Sequence, residues 1–389
     1  MEKESKLTFL DLFAGMGNFR LGLEQSGMEC LGYCECDEYA VTSYRAMHNP
    51  EGEFYEKDIR DIKPSDLPKA DIWCGGFPCQ DISLAQGGKG EGLYGGRSSL
   101  FFELTRLLEG TANQDKPRWL VIENVRGLLS AGKGRDFAAL LNSLARLGYH
   151  NEYRVLNSKD YGVPQNRERV FIVGSLVEFD RDFFPIAETK TLPLSSVMED
   201  KVHERYYILK SKAKRNTAEN ALQDNKTQRS IAEAESRSIA GSPKLIQLFK
   251  GRQGDRVYSA DGLSCTLTAN GGGRGGKTGL YLTDDNRIRR FTPLECFRLQ
   301  GVPDEYFNRL MQKTMFKPLS ETQLYKQTGN AVTVPVIKAI GDRILEIHEE
   351  NHENHREESG ESSQSSQSSE SSEWLKYRDY EWNRWREFW

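Results

Sequence analysis

Residues 7–48, LTFLDLFAGMGNFRLGLEQSGMECLGYCECDEYAVTSYRAMH, decide the fold. Leu7–Phe13 is a short apolar run of the kind that makes a buried strand, and it breaks into a turn holding Gly15 and Gly17. Asn18 can cap a helix to Ser26, with Gly27 as its stop. Met28–Cys34 reads as a second strand, and Asp37 can cap a helix through His48. The alternation continues outward. Strands are expected at Ala70–Cys74, Arg118–Glu123, Tyr153–Leu156 and Arg169–Val173, and helices at Ser98–Glu109 and Arg135–Leu147, the latter stopped by Gly148. Strand and helix in alternation predict an α/β fold, a doubly wound and mostly parallel sheet with helices on both faces.

After about Phe184 the pattern changes. Residues 211–242 are polar and weakly periodic, and 249–279 are rich in glycine. The expected organisation is a large domain over 1–184, completed by 306–349, and a second, smaller domain over 185–305. Val332–Glu349 reads as an amphipathic helix packing back on the first domain. Residues 350–373 are acidic and serine-rich and are expected to be a disordered linker, since they cannot bury enough apolar surface to order themselves. The last stretch, 374–389, holds four of the six tryptophans, so an aromatic tail that contacts another protein is expected there.

Composition excludes several classes. In 389 residues with mean hydropathy −0.65, no run approaches the roughly 18 to 20 apolar residues of a membrane span. The start, MEKESKLTF, has no apolar core of a secretory signal. The seven cysteines never form a CxxC pair, which argues against a disulfide scaffold or structural zinc, so no metal is expected and the cytoplasm is the expected compartment. Between Lys201 and Arg298, 19 Lys/Arg face 10 Asp/Glu, the balance of a polyanion-binding segment.

The motifs carry the chemistry. Glycines at a strand-to-helix turn, as at Gly15 and Gly17, let a nucleoside-type cofactor approach the backbone. Glu35 follows at the end of the second strand, where an acid commonly bonds ribose hydroxyls, and Asp58 ends the next segment and can receive an adenine amine. Gly75-Gly-Phe-Pro78-Cys79-Gln-Asp-Ile-Ser83 places a cysteine at the carboxyl edge of the sheet, where a thiolate can act as nucleophile. Glu123-Asn-Val closes another strand at that edge, and Gln165-Asn-Arg167-Glu-Arg169 leads into the next. A thiol, a carboxyl and two guanidiniums are thus expected in one crevice.

These stretches, with RRFTPLECFRLQGVPD at 289–304 and QTGNAVTVPV at 327–336, occur in an order that resembles the bacterial DNA (cytosine-5) methyltransferases over about residues 1–345. The resemblance implies a Rossmann-like, S-adenosylmethionine-dependent enzyme acting on double-stranded DNA. It implies Cys79 as the nucleophile at cytosine C6, Glu123 at N3 and the exocyclic amine, and Arg169 with Arg167 at O2. Phe13 would face the adenine, Gly15 and Gly17 form the close turn, Glu35 and Asp58 hold ribose and adenine, Pro78 lies near the sulfonium, and Asn330 closes the pocket from the C-terminal motif. Cys36 departs from the family, which often has Trp there. The 185–305 segment becomes a target-recognition domain, with Gln253 filling the gap left by a flipped base, Arg256 reading a base or phosphate, and Thr266 holding the backbone.

The implied enzyme is the methylase of a restriction–modification system or a solitary, phage-type methylase, with a cognate endonuclease as possible functional partner, and a monomer on DNA. Alternatives are a tRNA cytosine-5 methyltransferase of the same fold and a non-catalytic DNA-binding regulator. Gly271–Thr278 spells a phosphate-binding loop, but strand-like residues follow it where such a loop needs a helix.

Overall fold

A computed structural model of the chain describes residues 6–78, 100–177, 179, 182–187, 191–208, 244–249, 253–269, 275–283, 285 and 287–361. Two compact units emerge, Met1–Arg343 and Ile344–Trp389. The first holds both sheets. Its larger sheet is built from β1 (Thr8–Leu12), β2 (Glu29–Cys34), β3 (Phe54–Glu56), β4 (Ile72–Gly75), β5 (Trp119–Val125), β6 (His150–Asn157) and β7 (Glu168–Ser175) in the order β3-β2-β1-β4-β5-β7-β6. The first five pair in parallel, whereas β7 runs antiparallel between β5 and β6.

The chain winds outward from β1 to β3, then restarts at β4 on the other side of β1. That reversal opens a crevice beyond the carboxyl ends of β1 and β4. Both strands are almost wholly buried, as a parallel sheet covered on both faces requires. Helices α1 (Asn18–Gln25), α2 (Glu38–His48), α3 (Leu100–Gly110) and α4 (Arg135–Arg146) supply the covers. Leu10, Leu12, Trp73, Phe101, Leu104, Ile122 and Leu140 form one core cluster. On the α1–α2 side, Met16, Leu21 and Met47 pack with Phe297, Val302 and Val334 from the far end of the sequence.

The second sheet has the order β11-β10-β9-β8, from β8 (Gln247–Phe249), β9 (Val257–Ser259), β10 (Leu280–Leu282) and β11 (Ile288–Arg289). Tyr258, Tyr281 and Phe291 pack there with Leu267 and Tyr325. Helices α5 (Pro293–Leu299), α6 (Asp304–Lys313), α7 (Glu321–Asn330) and α8 (Val334–Glu361) follow. Thr292 and Glu295 close a capping box on α5, and the Glu295 carboxylate is also buried against the Arg289 guanidinium at 2.7 Å. Among the described residues, no helix is long and apolar enough to cross a membrane.

Three expectations need correction. Asn18 is not a cap: Gly17 holds that position with φ +88°, and the Asn18 amide instead donates to the Val332 carbonyl at 2.7 Å. A tertiary tie across the chain has displaced the local one. The short edge strand β3 was not foreseen, because its three half-exposed residues carry no alternation long enough to read. Helix α8 ends at Glu361 rather than Glu349, since the glutamate-rich residues that follow Glu349 favour a helix over part of the expected linker. Asp37, by contrast, does cap α2, accepting from the Tyr39 N–H at 2.9 Å.

Candidate active site

A cavity of about 670 Å³ occupies the crevice, within the range of small-ligand sites. Phe13, Gly15, Glu35, Asp58, Pro78 and Asn330 line it, and Glu123, Arg167 and Arg169 line the same space. The residues expected around a cofactor and those expected around a base therefore share one chamber. Cys79 lies outside the described residues. The segment just before it is held in place, because the Asn124 amide donates to the Phe77 carbonyl at 3.2 Å.

Gly15 and Gly17 divide their expected role. Both have positive φ, but a Cβ on Gly15 meets nothing within 4 Å, while one on Gly17 would sit 2.4 Å from His48 Nε2. Gly15 leaves the chamber open. Gly17 makes room for the half-buried ring of His48, whose pKa is depressed to about 3 by loss of solvent, and does not line the chamber. Phe13 also has positive φ, +59°, a strained geometry for a bulky residue and one that clusters at functional sites.

Glu35 is anchored from both sides. Its Oε2 accepts from the Gly15 N–H at 2.8 Å and its Oε1 from the Asp37 N–H at 2.7 Å. Burial raises its pKa, and these two N–H groups oppose the rise. Asp58 differs: hydrogen bonding by the Arg60 guanidinium holds its carboxyl down at about 2. Cys36 is exposed at the chamber's edge.

The register of β5 against β7 explains the catalytic-looking pair. Glu123 faces Phe171 and Val125 faces Arg169, so Glu123 and Arg169 are diagonal neighbours on one side of the sheet. Arg169 Nε lies 3.0 Å from Glu123 Oε1, and both side chains are nearly enclosed. Burial pushes the Glu123 carboxyl up, with Arg169 and then Arg167 pulling it back. The net direction is upward, so this acid keeps its proton to higher pH than an ordinary glutamate.

The two arginines have different surroundings. Arg167 is 1% exposed and donates to the carbonyls of Leu267 (3.1 Å), Gly329 (3.1 Å) and Ala331 (2.7 Å). It ties the segment around Leu267 and the end of α7 to the start of β7 while also lining the chamber beside Arg169. We expect Arg167→Met to cost about 3 kcal/mol or more of folding stability, because it strands buried carbonyls. Urea unfolding checks this; unchanged stability with lost turnover would instead put the guanidinium on the substrate.

Gln165, which opens the motif but has no role assigned from sequence, is fully buried; it donates to the Leu299 carbonyl at 2.8 Å and accepts from the Leu267 N–H at 3.0 Å. The motif marks its position, but its partners about a hundred or more residues away give no sequence signal. Thr266 donates to the Asn166 carbonyl at 2.7 Å and lines a second, smaller pocket of about 260 Å³ shared with Arg169. Arg256 is exposed and contacts the Tyr258 hydroxyl. Gln253 starts a short 3-10 turn, Gln253–Asp255. Of the glycine-rich stretch, the described residues 275–278 form a turn that leads into β10, a strand where a phosphate loop requires a helix.

A doubly wound sheet with a glycine turn, an acid anchored after β2 and a buried acid–guanidinium pair around one crevice has the layout of an α/β ligand-binding enzyme. The chain matches the family C-5 cytosine-specific DNA methylase over residues 7–346 and belongs to it. It is 34% identical over 352 residues to the type II methyltransferase M.HhaI of Haemophilus parahaemolyticus, covering 88% of this chain and 96% of that one. It is 35% identical over 348 residues to M.Bsp6I of Bacillus sp. (strain RFL6), covering 87% and 98%. The orphan methyltransferase M.SPBetaI of Bacillus phage SPbeta is 29% identical, with 88% and 98% covered. Among solved structures, the Entamoeba histolytica methyltransferase EhMeth superposes with a TM-score of 0.62 at 18% identity, covering 90% of this chain and 99% of that one, which shows a common fold. The protein is accordingly a DNA (cytosine-5) methyltransferase that uses S-adenosylmethionine.

Proposed function

We propose that the enzyme methylates C5 of a cytosine turned out of a specific duplex sequence, through a covalent bond between Cys79 Sγ and C6. The observation that carries this is the single chamber joining Glu123 and Arg169 to Phe13, Gly15 and Glu35. The target atom is inaccessible in the stack, so the base must rotate out, at a cost of a few kcal/mol.

The open space over Gly15, the anchored acid Glu35 and the ring of Phe13 suit a nucleoside group. S-adenosylmethionine, when bound there, supplies an electrophilic methyl group. Glu35 would hold ribose hydroxyls, Asp58 the adenine amine, and Pro78 and Asn330 would bound the reacting end. On the cytosine, Sγ–C6 formation breaks the C5=C6 double bond, and a proton from Glu123 at N3 receives the displaced charge. Arg169 would face O2 and stabilise negative charge in a site shielded from water. After C5 has gained its methyl, loss of its proton re-forms the double bond and expels Cys79.

Residues 185–305 would form the target-recognition domain, with Gln253 filling the vacated stack, Arg256 on a base or phosphate, and Thr266 steadying the segment beside the flipped nucleotide. The enzyme would work in the cytoplasm as a monomer on DNA, as a restriction–modification methylase with a cognate endonuclease or as a solitary one. Bisulfite-type methylome sequencing of a methylation-free host expressing the protein tests this. One methylated cytosine within a defined short sequence is expected; scattered or absent 5-methylcytosine would refute sequence-specific action.

A further inference from the structure

Consecutive residues of α7 serve two different neighbours. Tyr325 packs with Tyr258, Tyr281 and Phe291, and its hydroxyl donates to the Phe291 carbonyl at 2.6 Å. Lys326 and Gln327 reach toward the loop after β2. Lys326 Nζ lies 2.7 Å from Asp37 Oδ2, and the Gln327 amide donates to the Tyr39 carbonyl at 3.2 Å. Asp37 is already committed locally: its Oδ1 caps α2, and its own N–H donates to Glu35 Oε1 at 2.7 Å. Glu35 in turn accepts from Gly15 at 2.8 Å. A continuous chain of contacts, Gly15–Glu35–Asp37–Lys326, therefore joins the glycine turn to α7, whose last residue, Asn330, also lines the chamber.

The Lys326–Asp37 ion pair ties α7 to the loop after β2 by charge. Burial works against ionisation of Asp37, yet hydrogen bonds from Lys326 and the Tyr39 N–H keep its carboxyl below the usual aspartate range.

The geometry points to Lys326 as a positioning residue for S-adenosylmethionine: its ion pair with Asp37 clamps the α7 wall of the chamber to the loop carrying Glu35. The proposal rests on this chamber being the cofactor site. Lys326 touches no reacting atom in this arrangement; it sets the distance between two walls. Both side chains are partly exposed, 36% and 27%, so the effect is modest, a few-fold rather than a thousand-fold.

The test uses the full chain and S-adenosylhomocysteine titrated by calorimetry without DNA, for Lys326→Met, Asp37→Asn and the double variant. Asn keeps the helix cap, so Asp37→Asn removes the charge alone. Each single variant should bind about three- to fivefold more weakly, and the double variant no more weakly than either. KM for S-adenosylmethionine should rise in step while kcat stays within about twofold, and Lys326→Arg should recover most of the affinity. Additive losses, unchanged binding, or losses matched by a lower melting temperature of the unliganded protein would overturn the clamp. A Glu35→Gln arm separates the two levels: if it leaves S-adenosylhomocysteine affinity intact, the cofactor assignment itself fails and the clamp with it.

Discussion

Cys79→Ser should abolish methylation and leave duplex binding within a few-fold of wild type. A serine hydroxyl at this position is neutral near pH 7 and a poor nucleophile, whereas a cysteine ionises readily enough to add to C6. The expected loss is about a thousand-fold or more, roughly 4 kcal/mol of barrier. A loss of only about eightfold, roughly 1.2 kcal/mol, would rule out Cys79 as the nucleophile. A positive experiment complements the loss. A duplex with 5-fluorocytosine at the target should trap the wild-type enzyme covalently, because fluorine cannot leave as a proton once C5 is methylated. The same duplex should not trap Cys79→Ser. The fold frames this position on one side: Phe77 is held by Asn124, and Pro78 lines the chamber.

The larger sheet was legible because its central strands are buried on both faces and its turns carry their own chemistry. Leu7–Phe13, Met28–Cys34 and Arg118–Glu123 each stand within a residue or two of β1, β2 and β5, and Asp37 announces α2 as a cap. Strand β3 was not legible, since three residues give no period, and Asn18 misled because a side chain suited to capping was taken by Val332 far along the chain. The same limit applies within the site. Glu35 and Glu123 could be placed at one edge from strand ends alone, whereas Arg169 lies at the start of β7 and reaches that edge because β7 runs antiparallel to β5. The different surroundings of Arg167 and Arg169 depend on which carbonyls come near, and Leu267, Gly329 and Ala331 are about a hundred or more positions away from Arg167 in sequence. Gly17 shows the subtler case. A glycine at this turn suits ligand clearance, and the packing of α2 adds a second reason for it, since a Cβ there would meet His48 Nε2.

Glu123→Gln should lower turnover by about a hundredfold or more while S-adenosylhomocysteine affinity hardly changes. Gln preserves the shape and can still bond the exocyclic amine, but it has no proton to share at N3. The surroundings of Glu123 suit proton donation, since burial raises its pKa and the Arg169 guanidinium at 3.0 Å limits the rise without cancelling it. The sign follows directly. A raised pKa keeps the carboxyl protonated below it, so the wild-type chemical step should slow as pH climbs through the folded-state value, and the variant's smaller rate should lack that limb. Stability must follow the same proton. An acid whose folded pKa is raised favours the folded state below its unfolded value, and that contribution disappears as pH rises through the folded one. The stability of Glu123→Gln relative to wild type should therefore increase across that window, measured by urea unfolding at several pH values. Rate and stability titrating together would locate the proton on Glu123. A collapse of cofactor binding instead would move this carboxyl to the cofactor end of the chamber, and proton donation at N3 would need another residue.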